Sequence, residues 1–136
     1  MIKQIVKDPF FLQQKSEPAT KADSQVVTDI LDTLKANRER CVGLAANMIG
    51  AKKQIIAVAA GPFIFPMINP VIIKRSGKYE TEEGCLSLVG VRPCIRYKEI
   101  EVDYLDQNFE KKHGKFTDFT AQIIQHEIQH FGGELI

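Results

Sequence analysis

Val26, Val27, Ile30, Leu31 and Leu34 recur three and four residues apart, the spacing that gathers side chains on one face of a helix. Asp23 or Ser24 can cap that segment, and the charged, turn-prone Asn37-Arg38-Glu39-Arg40 closes it. The preceding stretch, Asp8-Pro9 to Pro18, has no such period and reads as an irregular arm. After the helix the period changes. Gln54 to Ala60 is an apolar run of strand length. Phe65 to Lys74 continues in strand-like fashion, but Asn69-Pro70 predicts an edge or a break in pairing, because proline has no N–H to donate. Lys78 to Thr81 reads as a further short strand. From Tyr97 to Leu105 the residues alternate, with Lys98, Ile100, Val102 and Tyr104 forming one side of a half-buried strand. Asp106-Gln107-Asn108 then predicts a turn into a hairpin partner around Phe109 to Lys115. Ile123, Ile124 and Ile128 restore the helical period, with Thr117 and Asp118 as caps and Gly132-Gly133 as the stop. Helix, strands, helix in that order predicts an α+β fold: antiparallel strands packed around a C-terminal helix, with an N-terminal helix.

The length of 136 residues suits one domain spanning 1–136. With 18 basic and 17 acidic residues the net charge is +1, which gives no electrostatic footprint for nucleic acid or an anionic membrane surface. No apolar run approaches the roughly 18 residues of a membrane span. The first residues lack the apolar core of a signal peptide, so a cytoplasmic protein is expected. The three cysteines, Cys41, Cys85 and Cys94, show no disulfide spacing. Cys41 and Cys94 read as small hydrophobes. His113, among Lys111, Lys112 and Lys115, reads as part of a solvated hairpin tip.

The chemistry lies in Gln125-His126-Glu127-Ile128-Gln129-His130. On a helix, His126 and His130 point the same way and can share a cation, while Glu127 can carry a proton at its open side. Cys85, in Glu82-Glu83-Gly84-Cys85-Leu86-Ser87, offers a third ligand; three protein ligands leave one position for water, as in catalytic sites. If Cys94 were a fourth ligand, the site would be closed and structural. Gly43, Ala45 and Ala46, within Gly43 to Gly50, permit close approach by a substrate or a neighbouring strand.

These three segments, in this order, resemble the peptide deformylase family, and Asp8 to Leu12 and Ile68-Asn69-Pro70 are also similar to family segments. The resemblance implies removal of the formyl group from the N-terminal methionine of nascent peptides. It implies a divalent metal, iron(II) in the family's native form, with Cys85, His126 and His130 as ligands; zinc, nickel or cobalt suit the same donors. Glu127 is implied as the general acid/base, and the backbone N–H of Leu86 as a donor to the oxyanion. Val42, Gly43, Leu44, Met48, Glu83, Gly84, Arg92, Gln122 and Ile123 are implied to line the substrate channel, with Gln122 and Ile123 at the methionine side-chain pocket. Arg92 or Arg96 is expected to pair with Glu83 or with the peptide. Met48 stands where the family has glutamine, whose amide helps hold the oxyanion, so reduced activity is implied. Gln129 replaces an acidic residue, and Cys41 a glycine. The chain closes six residues after His130, so a tail role in product release is not expected. The competing readings are a catalytically weak relative that binds peptide N-termini, and an unrelated metalloprotease built on the same helix.

Overall fold

A computed structural model describes residues 1–85, 88–134 and 136. Helix α1 (Pro9–Leu12) lies in the N-terminal arm, where no helix was expected: the Asp8 carboxylate accepts from Phe10 N at 3.0 Å, and Pro9 occupies the first turn, where its missing N–H costs nothing. A 3₁₀ turn at Lys21–Asp23, capped by Thr20, leads into α2 (Ser24–Ala36), as the apolar spacing predicts. Five strands follow: β1 (Gly43–Ala45), β2 (Ile55–Ala60), β3 (Phe63–Cys85), β4 (Leu88–Leu105) and β5 (Lys111–Thr117). They form one sheet in chain order with antiparallel pairing throughout. Helix α3 (Asp118–Gln129) completes the α+β fold.

Both α2 and α3 pack on β2, whose residues from Ile55 to Ala59 are all buried, so both of its faces are covered. Ile30 and Leu34 of α2, Met67 and Ile68 of β3, Ile100 and Val102 of β4 and Ile124 of α3 close this core at 0–1% exposure. Each such side chain contributes about 1.5–3 kcal/mol by leaving water.

Asn69-Pro70 shifts the register between Ile68 and Val71 but does not end the strand. Asn69 adopts a positive φ of 51°, and its side-chain amide both accepts from Ala19 N (2.7 Å) and donates to Ala19 O (2.9 Å). The expected separate strand at Lys78 to Thr81 is the middle of β3. The hairpin tip is Asp106 to Phe109, where Asp106 Oδ1 accepts from Asn108 N and Glu110 N; Lys111 to Lys115 belong to β5. His113 is therefore on a strand, bonded to Asp103 and Glu101 of β4.

Helix α3 starts where Thr117 and Asp118 predict, but Thr117 makes no side-chain cap bond, and Asp118 takes a positive φ of 52°. Gln125 ties the helix to β4 with a double amide bond: Oε1 accepts from Tyr97 N at 2.9 Å and Nε2 donates to Tyr97 O at 2.7 Å. After α3 a 3₁₀ turn (His130–Gly132) ends at Gly133, where φ is +78° and a Cβ would lie 2.1 Å from Gln13 O. Only glycine fits that crossing.

Candidate metal centre

Cys85 ends β3, while His126 and Glu127 lie on α3 and His130 opens the turn after it. The fold brings them together although 45 residues separate Cys85 from His130: Cys85 Sγ lies 3.7 Å from His130 Nε2. The two imidazoles stand edge to face with centroids 4.9 Å apart. One ligand atom from each of Cys85, His126 and His130 lies within 4.8 Å of the others, and bonds of about 2.0–2.3 Å to a shared cation would draw them closer still. Cys94 is not part of this cluster, so the described residues supply three ligands rather than four.

Glu127 is 5% exposed, and its Oε1 has no hydrogen-bond partner among the described residues, although it lies 3.7 Å from His130 Nε2. Burial raises its pKa to about 7. A buried carboxyl oxygen without a partner, beside one thiol and two imidazoles, is a donor set that fits a divalent metal and its water.

Glu83, two residues before Cys85, lines the cleft and spends its carboxylate on protein partners. Its Oε1 accepts from His126 Nδ1 at 2.7 Å, which turns Nε2 of that ring toward the cluster. Arg96 grips the same carboxylate through Nε (3.0 and 3.1 Å) and Nη2 (2.7 Å), and Gln122 Nε2 donates to Oε2 at 2.8 Å. Burial alone would raise the Glu83 pKa, but the bonds from His126, Arg96 and Gln122 outweigh it and hold the value at about 2. For His126 too, burial disfavours the charge, and the bonds with Cys85 and Glu83 overcome it, raising the pKa. Burial and then the charge of His126 lower His130 to about 3.

The cluster sits at the base of an open cleft of about 500 Å³. Val42, Gly43, Met48, Glu83, Gly84, Gln122 and Ile123 line it. Arg92 and Leu44 do not: Leu44 is fully buried and can offer only backbone groups, and Arg92 stands opposite Glu83 on β4 while Arg96 makes the ion pair. Leu86 lies outside the described residues. Phe119, Arg40 and Cys41 also line the cleft. Cys41 packs against the core as a small hydrophobe, while its Sγ donates to Gly43 O at 3.1 Å and burial pushes its pKa to about 11. Gln129 faces away, donating to Glu134. Tyr79, whose hydroxyl donates to Gln122 Oε1 at 3.3 Å, and Arg96 carry the network around Glu83; the alternation of Tyr79, Thr81 and Glu83 along β3 is the sequence signal that places two of these on one face.

A His-Glu-x-x-His segment with a cysteine beside its second imidazole, at an open cleft, is the donor arrangement of the metal hydrolase class. Comparison with known proteins narrows the class. The polypeptide deformylase profile matches residues 2–136. A peptide deformylase of Clostridium beijerinckii is 62% identical over 136 residues, covering 100% of both chains. Peptide deformylase 2 of Clostridium acetobutylicum is 38% identical over 128 residues, covering 91% of this chain and 85% of that one. The crystal structure of a peptide deformylase from Thermotoga maritima superposes with a TM-score of 0.88 at 27% identity, over 99% of this chain and 95% of that one. The chain belongs to the polypeptide deformylase family. It is accordingly an enzyme, an amide hydrolase of the deformylase class, and the family is one of metalloenzymes.

Proposed function

We propose that the enzyme removes the formyl group from the N-terminal methionine of nascent peptides in the cytoplasm, that residues 1–136 act as one domain, and that Cys85, His126 and His130 hold a divalent metal. The convergence of Cys85 on the two imidazoles of the α3 segment carries this reading. One thiolate and two imidazoles suit iron(II), the metal proposed, as well as zinc, nickel and cobalt. When bound, such a cation supplies Lewis acidity and an acidified water.

The protein's own residues do the rest. Water adds to the formyl carbon and the C–N bond breaks. Glu127 takes the proton from the water and returns it to the departing amine, so formate and a free N-terminus leave. Its unpartnered Oε1 is free for that exchange. Among the described residues strand β1 is paired on one side, with β2, and its other edge at Gly43 can take an extended peptide by strand addition. Val42 and Phe119, 39% and 61% exposed, give the cleft apolar walls for a methionine side chain. No helix among the described residues is long and apolar enough to cross a membrane.

Hydrolysis of a formyl-Met peptide under anaerobic conditions, with iron(II) and after chelation, tests the assignment. Turnover should require the metal and should favour the formylated N-terminus over internal peptide bonds. Metal-independent turnover, or cleavage of internal bonds, would overturn it.

Turnover is proposed to lie below that of a counterpart with an amide at position 48. Met48 is 1% exposed, and its Sδ accepts from Ala45 N at 3.5 Å. A glutamine there can keep that bond through Oε1 and aim its NH₂ into the cleft. Met48→Gln should therefore raise kcat at least about tenfold, a conservative fraction of the roughly 10²–10³ that one oxyanion donor is worth. Should kcat stay within twofold, the missing amide is not what limits this enzyme. A protein that binds formylated peptide and does not turn it over even after this exchange would favour the binding-protein reading.

A further inference from the structure

Gln122 lines the cleft beside the apolar Val42, Phe119 and Ile123, and both of its polar atoms are engaged. Nε2 donates to Glu83 Oε2 at 2.8 Å, and Oε1 accepts from Tyr79 Oη at 3.3 Å. Leaving an amide unpaired in such a place would cost about 1–3 kcal/mol. Gln122 sits one turn before His126 on the same face of α3. Arg96 fixes the Glu83 carboxylate from β4, but Gln122 fixes it from the helix that carries His126. The carboxylate is thereby held to the helix at two points, Gln122 Nε2 and His126 Nδ1, one turn apart.

We propose that Gln122, backed by Tyr79, is a positioning residue that sets the Glu83 carboxylate against His126 and so fixes the tautomer and ring orientation with which His126 meets the metal. The assignment rests on the reading of His126 as a ligand. It also means that the polar end of Gln122 is withdrawn from the substrate: its methylenes face the cleft, which stays suited to an apolar side chain.

Partners behind ligating histidines are typically worth about 10- to 100-fold in metal affinity. Gln122 acts one bond further out, so the lower end applies. Gln122→Met keeps the volume and removes the amide. With zinc(II) as the probe and a competing chelator, it should weaken binding about tenfold. Tyr79→Phe should weaken it by roughly threefold, the worth of one neutral hydrogen bond. The double variant should be no worse than Gln122→Met alone, because Tyr79 acts through the amide. Thermal unfolding without metal should move little in Tyr79→Phe, which separates positioning from packing.

The wild type and His126→Ala are measured alongside. One zinc bound by the wild type and lost in His126→Ala upholds the ligand reading; affinity within twofold of wild type in a folded Gln122→Met then overturns the positioning role alone. Additive losses in the double variant overturn it as well, and if Gln122→Met fails to fold, an unchanged affinity in Tyr79→Phe overturns it instead. A wild type that binds no zinc removes both.

Discussion

Glu127→Gln lowers kcat on a formyl-Met peptide by about 10²–10⁴, the range a positioned acid/base contributes, while metal content stays at the wild-type level. The reason is the division of labour around the cluster. The proposed ligand atoms come from Cys85, His126 and His130, and Glu127 is not among them, so the amide is expected to remove proton transfer without removing a ligand. Glutamine preserves volume at a position that is 5% exposed, so the fold is retained. The measurement is kcat with stoichiometric metal, together with metal analysis of both proteins. Retained kcat would transfer the proton work to another group; lost metal would make Glu127 part of the binding set.

Gly43→Ala lowers kcat/KM by roughly 10²-fold and destabilises the protein by about 1–3 kcal/mol. A Cβ on residue 43 would stand 2.6 Å from Ile123 Cγ2 and 2.9 Å from Glu127 Oε2, both inside normal contact. Ile123 can turn a little at small energetic cost. Glu127 cannot move without losing its aim, and a displacement of about 1 Å at a reacting group is enough for the rate loss. Gly43→Val should be worse on both counts. Steady-state kinetics and thermal unfolding separate the two effects. A Gly43→Ala enzyme with wild-type kcat/KM would show that β1 has room to give and that its closeness to α3 does not set the carboxylate.

Local period places the elements well. Val26 to Leu34 locates α2, and the alternation from Tyr97 to Leu105 puts Ile100 and Val102 inside, at 1% and 0% exposure. The four-residue spacing of His126 and His130 yields the imidazole pair directly. What local period does not carry is register. Between Ile68 and Lys74 strand β3 shifts twice against β4, and a shift of one residue exchanges the faces of everything beyond it. Even register does not choose the partner of Glu83: it sets Arg92 opposite, yet Arg96, four residues on and on the same face, makes the ion pair. Register does decide the approach of Tyr79, on the same face, to Gln122. The run from Lys74 to Glu83 is charged and mostly exposed, and so looks unlike a strand; pairing with β4 holds it, and Tyr79 and Glu83 within it reach α3 through Gln122. Helix α1, at four residues, is too short to show a period, and the Asp8-Pro9 signal at its start is the only local mark it leaves.

Because α3 brings Ile124 to the core and His126 and Glu127 to the cleft, maturation of the enzyme is all or nothing. A copy interrupted during synthesis before this helix would lack the wall that shields β2 as well as the chemistry. Such a fragment would be a target for proteolysis rather than a folded competitor for formylated peptides.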